Sequence, residues 1–237
     1  ADGNVVALEE AQVAIREDAH QPPALRGDGQ AGDLVPSHEL FGLAAVAFFG
    51  YLAHTVLPNV SVLYMGYRYG WGTATVGLTL AGVGVAVMIV QGGLIRPVTA
   101  RLGLRTALLV GLLSGTIGFS VYGVASEGWI FWLGIPVMAF WGLSGPAAQA
   151  LMSRRVSSSE QGQLQGALAS MNGLTRLVGP ALFTQSFAHF IGPSALWHLP
   201  GAPFLLASLM MLSAAAIAWW ATHPGRSAIR NLEAGVE

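Results

Sequence analysis

From Leu40 to Ala221 the chain repeats one pattern, a long apolar run closed by a short polar or glycine-rich turn. Six such runs are read, at residues 40–64, 73–95, 106–124, 129–151, 162–190 and 200–221. Each reaches the roughly 17 to 25 residues that a helix needs to cross about 30 Å of hydrocarbon, the third being the shortest. The fifth run differs in kind. It sets Gln165, Ala169, Asn172, Arg176 and Gly179-Pro180 at alternating spacings of three and four, so that a polar stripe lies along one face of an otherwise apolar helix. In lipid such a stripe is tolerated only against protein or a water-filled cavity. Ahead of it, Ser157-Ser158-Ser159-Glu160 has the spacing of a reciprocal capping box, in which the Ser157 hydroxyl caps the N–H three residues on and Glu160 reaches back. The pattern predicts an all-α membrane protein with six transmembrane helices.

Composition agrees. Of 237 residues 53% are apolar and only 10% charged, against about 25% charged in a soluble domain, and the mean hydropathy is +0.57. Residues 1–38 stand apart, with seven acids (Asp2, Glu9, Glu10, Glu17, Asp18, Asp28, Asp33) and several Pro and Gly, and read as a flexible acidic cytoplasmic linker or tail holding one short amphipathic helix over residues 5–15. Residues 39–222 form the bundle and residues 223–237 a cytoplasmic C-terminal tail. The chain opens on Ala1 without an initiator Met or a basic leader, as a processed or truncated chain would. The absence of Cys excludes disulfides, thiolate metal sites and a cysteine nucleophile. A net charge of −1 gives no reason to expect a nucleic-acid partner, and no spacing suggests a metal or cofactor.

Charge also orients the runs. Arg16, Arg26, Arg96, Arg101, Arg105, Arg154, Arg155, Arg226 and Arg230 fall on one side, and only Arg68 on the other. By the positive-inside rule both termini are cytoplasmic. Tyr67, Tyr69, Trp71, Trp129, Trp132 and Trp197 gather at the opposite side as an interfacial belt. Small residues mark close packing, at Gly111 and Gly115, at Gly162 and Gly166, and at Gly142, Gly145 and Pro146, with Gly179 and Pro180 further on. The last run lacks charged or strongly polar groups and is expected to face lipid.

Arg176 is the most informative single residue. Twelve residues beyond Leu164, at 1.5 Å each, put it about 18 Å deep, where an Arg costs at least about 2.5 to 3.5 kcal/mol on insertion scales. It reads either as a structural cation neutralised by backbone carbonyls or as a cavity cation that meets a substrate or relays a conformational change. His54, at similar depth in the first run, reads either as a packing histidine or as the one mid-membrane group able to exchange a proton near neutral pH. Gln91 and Gln149 read as interhelical hydrogen-bonding groups, and Trp141 as core or cavity wall.

Gly142-Leu143-Ser144-Gly145 matches the Gly-x-Ser-Gly pattern of the rhomboid intramembrane proteases, in the fourth of six helices as in that family. Its nucleophile needs a His base within hydrogen-bond reach. That family's base lies inside the sixth helix, whereas here His198 precedes the sixth run and His223 follows it.

Gly145-Pro-Ala-Ala-Gln-Ala-Leu-Met-Ser-Arg-Arg-Val156, continuing into Glu160-Gln-Gly-Gln-Leu-Gln-Gly-Ala-Leu-Ala-Ser170 and then Val178-Gly-Pro-Ala-Leu-Phe-Thr184, resembles the major facilitator superfamily, in particular the C-terminal six-helix half of its tetracycline-resistance-like drug efflux group. The turn Pro97-Val-Thr-Ala-Arg101-Leu-Gly103-Leu-Arg105 looks like the degenerate second copy of that superfamily's cytoplasmic signature. The signature's acidic position falls on Ala100 and its opening Gly on Arg96. The positions where tetracycline pumps carry a membrane His and Asp fall on Val87 and Gly115. Gly179-Pro180 looks like a remnant of the antiporter motif.

The resemblance implies one half-bundle of a major-facilitator fold, whose first, second, fourth and fifth helices line a cavity and whose third and sixth are peripheral. On those terms His54, Gln91, Trp141, Asn172 and Arg176 are the substrate-binding or coupling residues, and Arg96, Arg101, Gly103 and Arg105 form a conformational-switch turn. Gly142, Gly145, Pro146, Gly162, Gly166, Gly179 and Pro180 pack helices. The implied activity is proton-coupled efflux of a small molecule, in a bacterial inner membrane, with a missing N-terminal six-helix half as partner. A self-pairing half-size transporter and the Ser144 protease are the alternatives.

Overall fold

A computed structural model describes residues 37–193, 195 and 197–223; the acidic segment and its expected short helix lie outside these, as does nearly all of the C-terminal tail. Among the described residues the chain is helical throughout, with no strand. We number the helices α1 (Ser37–His54), α2 (Val56–Tyr69), α3 (Thr73–Ile89), α4 (Ile95–Val124), α5 (Gly128–Ala139), α6 (Ser144–Ser153), α7 (Gln161–Ile191) and α8 (Ala202–Ala221). A π-helical turn, Val90–Leu94, joins α3 to α4, and a 3₁₀ turn, Phe140–Leu143, joins α5 to α6.

Among the described residues, four helical stretches are long and apolar enough to cross a membrane: Glu39–Tyr69, Thr73–Val124, Gly128–Ser153 and Ala202–Ala221. The chain is therefore a multi-pass membrane protein. The Thr73–Val124 stretch is 52 residues long, and inside it Gly103 departs from helical geometry at φ 78°, ψ 163°, a region open essentially to glycine alone. The second and third sequence runs are the two arms on either side of this break. The fifth run is a 31-residue helix, α7, whose polar stripe keeps it off the list of apolar stretches.

The core runs along α4 and α8. Phe204, Ala207, Met211, Ala214 and Ala218 recur every three or four residues on α8 and are wholly buried, packed on α1 and α4. Ser208 links the two helices as well, bonded to the Ser120 hydroxyl at 2.8 Å and donating to the Thr116 carbonyl at 2.9 Å. The last run, expected to face lipid, leaves one face exposed and packs the other into the core. Only one face of α8, with Leu209, Leu212 and Trp219, is exposed. Association in lipid rests on close backbone approach rather than on polarity, so an alanine face packs well.

Glycines on α4 make the same point. A Cβ on Gly111 would come within 2.6 Å of the Ser144 nitrogen, and one on Gly118 within 2.8 Å of the Met138 sulfur. Gly162 and Gly166, the other GxxxG pair, have nothing within 4 Å of such a Cβ, and neither has Gly145.

Polar contacts close the two ends. At one, Arg155 pairs with Glu39 at 3.2 Å, while Arg105 donates to the Thr222 hydroxyl at 3.1 Å and lies 5.0 Å over the Trp219 ring. At the other, the buried Tyr64 hydroxyl donates to the Tyr122 carbonyl at 2.9 Å and Tyr69 to the Ala125 carbonyl at 3.1 Å, beside a stacked Tyr122–Phe131 pair 4.1 Å apart. The expected belt residues meet here too, with Trp71 5.0 Å from Tyr69 and 5.4 Å from Trp132.

The turn into α7 forms half of the expected capping box. Glu160 accepts the Ser157 N–H at 3.0 Å, but the Ser157 hydroxyl also donates to that carboxylate, at 2.7 Å, instead of capping an N–H. These two bonds, the hydroxyl's first, hold the Glu160 carboxyl below its ordinary value.

Candidate functional site

A cavity of about 370 Å³ opens on the side of the bundle where α1, α3, α5 and α6 converge. His54, at the end of α1, Gln91, in the π-helical turn, and Trp141, in the 3₁₀ turn, all line it. Two interruptions of regular helix thus deliver two of its polar or aromatic groups. Irregular turns of this kind re-aim side chains that a continuous helix would carry elsewhere. They also meet each other, because the Gln91 side chain lies over Gly142, 3.3 Å from where a Cβ would stand.

Trp141 is held from three sides. Its ring lies 5.4 Å from the His54 ring and 5.5 Å from Phe119. The third side is Gly115, where a Cβ would come within 3.0 Å of the indole and 2.8 Å of Met211. The resemblance puts an Asp of the tetracycline pumps at this position. Here any side chain would displace Trp141. Val87, the corresponding position for the membrane His, lies on the cavity wall, as do Leu108 and Leu112 of the helix arm expected to be peripheral.

Asn172 and Arg176 are not among the lining residues. They sit one turn apart on α7, exposed or nearly so, with the Arg176 Nε donating to Asn172 Oδ1 at 3.0 Å. One helical turn further, Gly179 is buried against Thr55, whose methyl and hydroxyl occupy the space of a side chain there. The structure therefore brings His54, Gln91 and Trp141 together on the cavity wall and leaves the Asn172–Arg176 pair off it, with Arg176 near enough to His54 to act on it electrostatically. Gln149 bridges α6 to α7 by donating to Gln165 at 3.1 Å.

Ser144 is buried, and its hydroxyl donates to the Trp141 carbonyl at 2.8 Å, one turn back on its own chain. In the turn expected to act as a switch, Gly103 makes the break and Arg105 is anchored at the end of α8, while Arg96 and Arg101 are exposed. Pro180 leaves α7 continuous. Sequence reasoning did not single out Thr55, Glu39 or Trp219. Glu39 alone carried a signal, as the acid nearest the Arg-rich end.

No protein-family model matches the chain. Individual proteins do. It is 38% identical over 153 residues to the class G tetracycline resistance protein of Vibrio anguillarum, covering 65% of this chain and 39% of that protein. It is 32% identical over 146 residues to the class C tetracycline resistance protein of Escherichia coli, covering 62% and 37%. This chain is similar in sequence to the tetracycline resistance proteins. A more distant match, 27% identical over 184 residues, is the human Hippocampus abundant transcript-like protein 1, covering 72% of this chain and 36% of that protein. The matched region thus spans less than two fifths of each relative, and the resemblance to the tetracycline-resistance-like group read from the sequence holds at the level of the group.

Proposed function

We propose that the chain acts as the C-terminal six-helix half of a proton-coupled efflux transporter, exporting a small molecule across a bacterial inner membrane by alternating access, with both termini cytoplasmic. The observation that carries this reading is the convergence of His54, Gln91 and Trp141, from three separate elements, on one open cavity. An open, one-sided cavity suits a wall completed by a second bundle, as in transporters that rock two repeats around a midplane site. The exposed Asn172–Arg176 pair on α7 supports the same reading, since a cation at that depth calls for a polar or aqueous neighbour. His54 is the proton-exchanging group in this scheme, and the arms about Gly103 carry the switch.

The test is flux. Liposomes holding the 237-residue chain alone and loaded with a drug panel should show no proton-driven transport. Co-reconstitution with a complementary N-terminal six-helix half should restore it. Robust flux from the chain alone would replace this reading with a self-pairing half-size transporter.

A further inference from the structure

The chemistry of the cavity wall selects among ligands. Its volume, about 370 Å³, lies at the lower end of the range of about 300 to 1,000 Å³ that holds drug-sized molecules. Most of the wall is aliphatic, and its polar groups include the Gln91 and Gln149 amides, the His54 ring and the Tyr51 hydroxyl. The Ser144 hydroxyl is already spent on the Trp141 carbonyl. Three carboxylates occur among the described residues, and none lines the cavity. Glu39 is paired with Arg155, Glu127 accepts the Trp129 indole N–H, and Glu160 is bonded to Ser157.

We propose that this wall takes an uncharged, flat, largely apolar molecule with hydrogen-bonding groups at its edge, and turns away cations. The proposal rests on the transport reading only in calling that molecule the substrate. A cation entering here would leave water without a carboxylate to meet it. The face of one tryptophan returns less than that desolvation takes. An anion meets no cation on the wall itself, since Arg176 is not among the lining residues. A flat neutral ring system, by contrast, meets a platform already in place. Phe119 and Gly115 fix the Trp141 indole, so little ordering remains to be done on binding. The Gln91 amide can donate and accept at the ligand's edge, and Gln149 keeps its carbonyl oxygen and one N–H beside its bond to Gln165.

The experiment uses the full chain in phosphatidylcholine nanodiscs and two dyes on one ring skeleton, neutral Nile red and cationic Nile blue. Saturable energy transfer from tryptophan is read against empty discs. Nile red should bind with a Kd at least tenfold below that of Nile blue. Gln149→Glu, nearly isosteric and on the rim, puts a carboxylate on the wall and should tighten Nile blue at least tenfold. Equal or tighter binding of Nile blue by the unaltered chain would overturn the proposal. So would failure of Nile red to saturate, or a Gln149→Glu chain with unchanged Nile blue affinity. Selective Nile red binding by a chain that never transports, with or without an N-terminal half, would keep this inference and end the transport reading. Transport confined to cations would do the reverse.

Discussion

Thr55 occupies the space in which a side chain on Gly179 would have to stand. The threonine is buried at the junction of α1 and α2, its hydroxyl donating to the Leu52 carbonyl at 2.7 Å, and a Cβ on Gly179 would come within 2.7 Å of the Thr55 Cβ. Overpacking of this kind typically costs about 1 to 3 kcal/mol. Gly179→Ala should therefore lower thermal stability in detergent, and Thr55→Gly in the same chain should recover much of the loss. Gly162→Ala, in open space, should not lower it. Equal behaviour of the two glycine variants would mean that α7 does not cross α1 here.

Ser144 separates packing from catalysis. Its hydroxyl bonds the Trp141 carbonyl, and Gly111 of α4 lies against its backbone. Ser144→Ala should leave transport by the assembled protein nearly unchanged, at a stability cost of about 0.5 to 1.5 kcal/mol for the hydrogen bond. Ser144→Leu should reduce folded yield by forcing α4 and α6 apart. Cleavage of a transmembrane substrate that disappears with Ser144→Ala would establish the protease instead.

Arg176 distinguishes a working cation from a tolerated one. It is held through Nε by Asn172 on its own helix and lies near enough to His54 to act on it electrostatically. Arg176→Lys keeps the charge and loses the planar fork, so that variant should reach the membrane at normal level yet transport poorly in the assembled protein. Arg176→Ala should insert at least as well, since it removes a penalty of about 2.5 to 3.5 kcal/mol. Full transport by a well-expressed Arg176→Ala protein would leave the residue purely structural.

Glu160 gives a pH-dependent readout outside the membrane. Its folded-state pKa is lowered by the bonds from Ser157, so its contribution to holding the turn is present above the unfolded value and lost as pH falls through the folded one. Ser157→Ala removes the hydroxyl donor and keeps the N–H, and should move the Glu160 carboxyl part of the way back toward its ordinary value. Carboxyl carbon shifts followed by NMR titration read this directly, and an unchanged midpoint would show that the backbone bond alone sets it.

Sequence alone determined the class of this protein, because hydrocarbon thickness imposes a run length and backbone hydrogen bonding in lipid imposes the helix. It located the turn that contains Gly103, the start of α7 and the polar stripe, each a local consequence of a few neighbouring residues. Its similarity to the tetracycline resistance group was legible in the Gly145–Val156 and Glu160–Ser170 stretches. Tertiary structure decided which faces meet. An alanine-rich helix such as α8 is equally apolar all round, so no periodicity tells its core face from its lipid face, and only the fit of Ala207, Ala214 and Ala218 against α1 and α4 does. The same holds for the two GxxxG pairs, identical as patterns, of which Gly111 touches Ser144 and Gly162 touches nothing. Depth along a helix follows from counting residues, but the direction of a side chain around the axis depends on local turns. The π-helical turn at Val90–Leu94 and the 3₁₀ turn at Phe140–Leu143 carry Gln91 and Trp141 onto the same cavity as His54, while Asn172 and Arg176, on the regular helix α7, are not on its wall.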